Sequence, residues 1–305
     1  MKINSFDELM QMAKEIPRKR VAVVMAEDIS VLRAIEKARK EGIIEAILFG
    51  KEERIRKVAG EIGISLQNYE VVNMSSPQKA ADEAVHFVRE GRSDIIMKGD
   101  IKTADLFKAV LHKDTGLRIG RTLNAVSVFE IPNYNRLIMA AGGGIIINPT
   151  LEQKVDMINN CVEVAESLEW EKPLTAIIGA LELVNPNMPI TVEAAILSKM
   201  CDRGQIKGTV VDGPFAIDNA ISVEAARHKH ISGPVAGKAD ILIMPNIEVG
   251  NVFYKTLVFL AGAKVAPTIA GASIPIVITS RADTEDTKLY SIALSSIYAE
   301  KRRGH

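Results

Sequence analysis

Residues 275–290, PIVITSRADTEDTKLY, place a hydroxyl, a guanidinium and three carboxylates directly after a short apolar run. The apolar run predicts a buried strand, and the polar run predicts the start of a helix. Arg281 stands next to the positive end of that helix, which repels it. An anion held between Arg281, Ser280 and the backbone N–H groups of the helix would remove the repulsion. The pattern predicts a site for a phosphate or acyl-phosphate group, with one carboxylate left to move a proton.

Helix capping is the alternative interpretation of the three acids. Asp283 or Thr284 can cap the predicted helix, and Glu285 and Asp286 can complement its positive end. Capping accounts for the carboxylates but leaves Arg281 without a role. The guanidinium therefore favours a bound anion over capping alone.

Polar residues also follow other predicted strands, and parallel α/β sheets bind ligands at the carboxyl ends of their strands. Lys98 leaves the strand DIIMKG, Gly99 lets another backbone segment approach closely, and Thr103 is the predicted cap of the next helix. Asp212 stands at the end of the strand GTVVDG. The alternatives are a solvated lysine and a threonine that only caps.

Two further segments carry candidate ligands for an anion. Arg118 and Arg121 lie in a loop with two glycines, GLRIGRT, although loop arginines are commonly surface residues. In PNIEVGNVFYKTL, Gly250 and Asn251 are predicted to open a helix, with Lys255 one turn on. The complete set of candidates for substrate binding is Lys98, Gly99, Thr103, Arg118, Arg121, Asp212, Asn251 and Lys255.

Short apolar strands alternate with longer helical patterns, which predicts an α/β fold of two doubly wound domains with mostly parallel sheets. The strands NAVSVFEIP and RLIMAAGGGIIINP follow each other directly, so an antiparallel excursion is expected there. We predict one domain at 1–147 plus 269–305 and a second at 148–268, with the active site in the cleft between them. The turn AEDISVL after the first strand has no glycine, which argues against a dinucleotide fingerprint.

Bulk composition argues against several classes of protein. The 38 basic and 38 acidic residues cancel, so no long-range field favours nucleic acid or an anionic membrane. No apolar run of about 18 residues offers a membrane span, and the N-terminal segment does not have the pattern of an export signal. Cys161 and Cys201 are expected to be buried free thiols in a reducing cytoplasm. The spacing of His228 and His230 suits no metal site, so we expect none.

Five segments, in order along nearly the whole chain, resemble the phosphate acetyl/butyryltransferase family, and its butyryltransferases most closely: MKG…T, INPTLEQK, DGPFAIDNAIS, ADILIMPNIEVGNVFYKTL and TSRADTEDTK. The resemblance implies two α/β domains, broadly similar to the isocitrate and isopropylmalate dehydrogenase fold, in a homodimer or larger homo-oligomer. It implies exchange of a short acyl group, butyryl or else acetyl, between coenzyme A and inorganic phosphate. Coenzyme A would be a substrate, and no cofactor would be obligatory.

By position, the resemblance implies a catalytic set of Ser280, Arg281 and Asp286. The serine would support the tetrahedral intermediate, the arginine would hold phosphate, and the aspartate would act as base toward the thiol of coenzyme A. One segment departs from the family pattern. Residues 140–144 are AAGGG in this chain, where the pattern carries Thr-Asp-Ala-Ala.

Two other functions compete with this one. A metal-dependent decarboxylating dehydrogenase needs clustered aspartates, whereas Asp212, Asp218 and Asp240 are spread over separate segments. A non-catalytic two-lobed ligand-binding protein leaves Arg281 and Asp286 without a task. Acyltransferase activity is therefore the expected function.

Overall fold

The structure, a computed structural model, describes residues 2–280 and 283–303. The chain divides into two compact units. The terminal unit comprises Phe6–Arg121 and Ala266–His305, and the central unit comprises Met1–Ser5 and Thr122–Val265.

The terminal unit is a sheet interleaved with helices. Its elements are α1 (Phe6–Glu15), β1 (Lys19–Val24), α2 (Ile29–Lys40), β2 (Ile44–Gly50), α3 (Glu52–Glu61), a 3₁₀ turn (Leu66–Asn68), β3 (Glu70–Asn73), α4 (Pro77–Arg89), β4 (Ile95–Lys98), α5 (Thr103–Val110), β10 (Lys264–Ala270), β11 (Ile276–Val277) and α11 (Glu285–Arg303). The strands lie in the order β3-β2-β1-β4-β11-β10. All of these pairs are parallel except β10 with β11.

The central unit repeats the same layer pattern. Its elements are β5 (Asn124–Glu130), β6 (Ile138–Ala141), α6 (Leu151–Ser167), β7 (Leu174–Ile178), α7 (Pro189–Asp202), β8 (Val210–Phe215), α8 (Ile217–Ile221), α9 (Val223–His228), β9 (Ile241–Ile243), α10 (Ile247–Lys255) and a π-helical segment (Thr256–Leu260). The strand order is β5-β6-β9-β7-β8, and only the β5–β6 pair among these is antiparallel. The expected α/β fold, its mostly parallel sheets and the antiparallel excursion are confirmed.

Local sequence explains where the helices begin and end. Pro77 opens α4 behind the Ser76 cap, and Gly91 follows its end with φ 71°. Thr150 and Gln153 form a capping box at the start of α6. At α2, Asp28 is the cap and accepts a hydrogen bond from Val31 N at 2.9 Å.

The boundary between the units differs from the predicted one. The sequence predicts a change of domain at residue 148, whereas residues 122–147 belong to the central unit. Strand pairing explains the difference, because β5 pairs with β6 and Met139 of β6 lies opposite Ile241 of β9. The excursion is therefore part of the second sheet.

The core of the terminal unit surrounds β1 and α11. Residues 21–24 of β1 have no exposed surface, and 12 of the 19 residues of α11 are buried. Phe6 of α1 packs on Tyr290 of α11, with ring centroids 4.7 Å apart. A helix buried to this extent is itself packed tightly in the core of the unit.

Candidate active site

The carboxyl edge of the terminal sheet brings two of the predicted site segments together. β11 runs parallel to β4, with Val277 opposite Met97. Both strands therefore leave the sheet at the same edge, β4 through Lys98 and Gly99 and β11 toward Ser280. Lys98 is half-buried, and its Nζ donates to the Gly99 carbonyl at 3.3 Å.

Position 99 needs a glycine because a neighbouring backbone segment lies too close for a side chain. A Cβ atom on this residue would lie 2.1 Å from the carbonyl oxygen of Met25. Gly99 N donates to Val24 O at 2.8 Å, and Asp100 N donates to Met25 O at 2.6 Å. The two hydrogen bonds fasten the end of β4 to the end of β1. The predicted close backbone approach at Gly99 is confirmed.

Hydrogen bonds connect Ser280, which follows β11, with Asp283, which precedes α11. Ser280 N donates to Asp283 Oδ2 at 2.6 Å, and Asp283 N donates to Ser280 O at 3.1 Å. Thr284 Oγ1 accepts from Thr287 N at 3.1 Å, so Thr284 provides the cap that the sequence predicts at Asp283 or Thr284. Arg281 lies outside the described residues. We call Ser280, Asp283 and Thr284 the phosphate turn, after the ligand that the sequence predicts for this segment.

Two acids of the first turn of α11 pair with basic residues of α2. Asp286 Oδ1 lies 2.8 Å from Lys37 Nζ, and Glu285 Oε1 lies 3.1 Å from Arg33 Nη1. The Asp286 side chain is 61% exposed. The hydrogen bond from Lys37 to Asp286 raises the pKa of Lys37, since it favours the charged ammonium. The predicted catalytic base is therefore held in an exposed ion pair.

Thr103 differs from its predicted place. The sequence predicts it as the cap of a helix, whereas Thr103 is the first residue of α5 and Lys102 holds the cap position. The side chain of Thr103 is exposed.

Arg118 is exposed and lies next to the segment between β10 and β11. Its backbone forms an antiparallel bridge with Ala272, which precedes β11. Arg121 is half-buried and ends the first segment of the unit.

Asp212 lies inside a strand of the central unit, not at its end. The sequence predicts that the strand ends at this residue, but β8 continues to Phe215. Asp212 Oδ1 accepts a hydrogen bond from Gly213 N at 2.8 Å. Burial raises the pKa of the Asp212 carboxyl, because desolvation penalises its charged form.

Asn251 and Lys255 lie on the exposed face of α10 in the central unit. The sequence predicts that Gly250 and Asn251 open this helix, but α10 begins at Ile247 and Asn246 caps it. Asn246 Oδ1 accepts from Val249 N at 3.0 Å. Asn251 is thus in the second turn, and its Nδ2 lies 3.5 Å from Gly143 O.

The glycine run 142–144 is explained by packing against α10. The sequence predicts that this segment continues as a strand, but β6 ends at Ala141. A Cβ atom on Gly250 would lie 2.6 Å from the carbonyl carbon and oxygen of Gly142 and from Gly143 Cα. Ile247 N also donates to Ile147 O at 2.9 Å. Glycines here let the turn lie directly on the helix backbone, which gives the departure from the family pattern a structural reason.

Lys288 is a buried residue beside the phosphate turn that sequence reasoning missed. It is 2% exposed, and its Nζ donates to the carbonyl oxygen of Asp283 at 2.7 Å. The available signal is a lysine at the start of the apolar run KLYSIAL. Lys37, the partner of Asp286, gave no such signal because it belongs to an ordinary amphipathic helix.

Other predicted features have the following outcomes. Cys161 and Cys201 are free thiols, the first buried and the second half-buried. Burial raises the pKa of the Cys161 thiol. Within residues 2–280 and 283–303, no three acidic, histidine or cysteine side chains are grouped as metal ligands. In the same described ranges, no helix has the length and apolar character to cross a membrane.

The parallel sheets, with polar residues at a carboxyl edge, define an α/β fold, a class in which small ligands commonly bind at the carboxyl ends of strands. The family model described as phosphate acetyl/butaryl transferase matches residues 5–89 and 78–296. The chain therefore belongs to this family, and the resemblance seen in the sequence is confirmed.

Individual relatives agree with this assignment. The chain is 52% identical over 293 residues to phosphate acetyltransferase of Thermotoga maritima, covering 96% of this chain and 99% of the relative. It is 47% identical over 297 residues to phosphate butyryltransferase of Clostridium acetobutylicum, covering 97% and 99%. A solved structure of a branched-chain phosphotransacylase from Enterococcus faecalis V583 has a TM-score of 0.83 and 31% identity, covering 92% of this chain and 99% of that one.

Proposed function

We propose that the protein reversibly transfers a short acyl group between coenzyme A and inorganic phosphate: acyl-CoA and phosphate give acyl phosphate and coenzyme A. Family membership supports the reaction class. The observation that carries the site is the parallel pairing of β11 with β4, which delivers Ser280 and Lys98–Gly99 to one edge of a sheet. Coenzyme A is a substrate in this proposal, and no cofactor is obligatory.

The roles that we propose follow the charges of the phosphate turn. Arg281 holds phosphate, and Ser280 together with N–H groups at the start of α11 stabilises the oxyanion of the tetrahedral intermediate. When coenzyme A attacks an acyl phosphate, Asp286 accepts the proton of the thiol as the carbon–sulfur bond forms. Phosphate leaves as the carbon–oxygen bond breaks. In the reverse direction the thiolate leaves and takes the proton back.

Proton transfer from the thiol of coenzyme A to Asp286 is energetically unfavourable unless the site compensates for it. A free thiol and a free aspartate have ordinary pKa values of about 8.5 and about 3.9, so the transfer costs about 6 kcal/mol. In the structure the Asp286 carboxylate is occupied by an ion pair with Lys37, with Oδ1 and Nζ 2.8 Å apart. We therefore propose that substrate binding opens this exposed pair and desolvates Asp286, so that proton transfer is concerted with attack.

For the acyl group, we propose butyryl in preference to acetyl. One relative named above acts on butyryl groups, and a branched acyl chain, as in the name of the similar structure, has at least four carbons. Each methylene in an apolar pocket is worth about 1–3 kcal/mol of discrimination. Values of kcat/KM for acyl-CoA substrates of two to five carbons measure this preference directly.

The experiment that tests the function follows free thiol while butyryl-CoA is mixed with the protein and phosphate. We expect thiol release that depends on phosphate, together with butyryl phosphate as the second product. Release without phosphate would indicate a hydrolase, and no release would indicate a binding protein. A parallel incubation of 2-hydroxy acids with a nicotinamide cofactor and magnesium tests the dehydrogenase alternative, and we expect no reduction.

We also propose a homodimer or larger homo-oligomer, in a reducing compartment such as the cytoplasm. The exposed face of α10 and the π-helical segment carries Val252, Phe259 and Leu260, which are 65%, 64% and 84% exposed. An apolar stripe of this kind commonly marks an interaction surface. Light scattering of Phe259→Ser beside the parent protein tests it. The two free thiols support the compartment.

A further inference from the structure

Lys288 carries a positive charge into the interior of the terminal unit. Its side chain is 2% exposed, and its Nζ donates to Asp283 O at 2.7 Å. Burying an ammonium group costs several kcal/mol unless hydrogen bonds and charges compensate. A methionine or leucine would fill the same space without that cost. The charged group therefore needs a task.

Asp283, which accepts from Lys288, is also the residue that closes the phosphate turn. Its carboxylate accepts from Ser280 N, and its own N–H donates to Ser280 O. A displacement of Asp283 is therefore transmitted directly to Ser280. The ammonium of Lys288 donates to the carbonyl oxygen of Asp283, five residues earlier in the chain. The start of α11 is stabilised separately by the Thr284 cap.

The charge of Lys288 also affects Asp28, a residue that follows β1 in the terminal unit. Burial raises the pKa of Asp28, but hydrogen bonds from Ser30 and Val31 and the charge of Lys288 outweigh it, so this pKa is lowered. Asp28 caps α2, the helix that carries Lys37, the partner of Asp286. The charge of Lys288 therefore also favours the carboxylate that caps α2.

We propose that Lys288 is a positioning residue that fixes Ser280 through Asp283. The proposal rests on the function given above for the phosphate turn. A misplacement of reacting groups by about 1 Å can cost about 100-fold in rate. Removal of the ammonium is therefore expected to lower kcat by about 10- to 100-fold.

Lys288→Met is the test variant, because it keeps the volume and removes the donor and the charge. Lys19→Met is the matched control. Lys19 is also buried in the terminal unit and also serves α11, but it pairs with Glu300 near the far end of that helix. Both variants remove a buried, hydrogen-bonded ammonium from the terminal unit, so a change in the urea midpoint alone cannot separate them.

Two readouts separate positioning from stability. Hydrogen exchange of a peptide that spans 280–287 is expected to rise in Lys288→Met and to stay unchanged in Lys19→Met. In the butyryl-CoA assay, kcat is expected to fall at least tenfold in Lys288→Met and to stay within threefold of the parent in Lys19→Met. Should Lys288→Met fail to fold, Lys288→Gln is measured in its place with the same expectations.

Exchange and kcat unchanged in the Lys288 variant would overturn the proposal. Equal losses of kcat in the two lysine variants would also overturn it, because both effects would then be structural. If the parent protein itself releases no thiol with phosphate, the proposed function fails. The exchange experiment needs no activity, so it still decides whether Lys288 fixes the turn.

Discussion

Gly99→Ala places a methyl group where the ends of β1 and β4 touch. The added Cβ atom would lie 2.1 Å from Met25 O, about 1.3 Å short of the 3.4 Å at which ordinary contact begins. The atoms that the methyl group would meet belong to the backbone of Met25 and Val24, so no side chain can rotate away. The end of β4, or the Met25 peptide, has to move.

The cost of this movement follows from the hydrogen bonds that depend on the contact. Gly99 N to Val24 O and Asp100 N to Met25 O are 2.8 and 2.6 Å long. At about 0.5–1.5 kcal/mol each, their loss costs about 1–3 kcal/mol. Residual overlap adds to this, so we expect the free energy of unfolding to fall by about 2–4 kcal/mol. A domain of ordinary stability, about 5–15 kcal/mol, would still fold.

Urea unfolding of the parent and of Gly99→Ala measures the loss, and Gly60→Ala is the matched control. Gly60 lies in α3, and a Cβ atom there would have no neighbour within 4 Å. Alanine in a helix is favoured over glycine, so Gly60→Ala should gain about 0.5–1 kcal/mol. Turnover should fall in Gly99→Ala, because β4 lies beside the strand that leads to Ser280. A stability of Gly99→Ala within about 0.5 kcal/mol of the parent would show that the two strand ends accommodate the methyl group and would contradict this prediction.

Three further predictions concern other parts of the chain. Gly250→Ala is expected to cost about 2 kcal/mol or more in urea unfolding, because its Cβ atom would lie 2.6 Å from the backbone of the glycine run. Hydrogen bonding by Arg39 lowers the pKa of Glu36 from 4.5 to about 2. The contribution of Glu36 to the free energy of unfolding is therefore complete above pH 4.5 and is lost as the pH falls toward 2. Glu36→Gln should make the urea midpoint less dependent on pH in this range. Arg281→Lys should raise KM for phosphate more than KM for coenzyme A, since a point charge cannot replace a bidentate fork, and equal rises would count against the phosphate role.

Features that depend on neighbours in the chain are predictable from the sequence. The strand and helix alternation, the Pro77 start of α4 and the cap at Thr284 each need only a local pattern and the general rules of helix ends. The choice of Ser280 and Asp286 came from family resemblance together with the acids at a helix start, and their roles stay predictions.

Features that depend on residues distant in the chain were not predictable in the same way. Ser30 and Asp28 are both reasonable caps of α2, and the structure selects Asp28, whose carboxylate also feels the charge of Lys288. The sequence predicts a strand at the glycine run 142–144. The contact that explains these glycines is with Gly250, more than 100 residues later in the chain. A lysine is normally expected at the surface, and the burial of Lys288 follows only from the burial of α11 in the folded unit.

The most direct test of the account compares phosphate-dependent thiol release by the parent protein and by Asp286→Asn, at saturating butyryl-CoA and phosphate. General acid–base catalysis contributes about 100- to 10,000-fold, so we expect the variant to lose at least 100-fold in kcat. Asparagine keeps the shape of the side chain, and Glu285, whose partner is Arg33, offers Glu285→Gln as a control for loss of a charge on the same helix turn. Turnover of Asp286→Asn close to that of the parent would contradict the assignment of the base and, with it, the proposed chemistry of the turn.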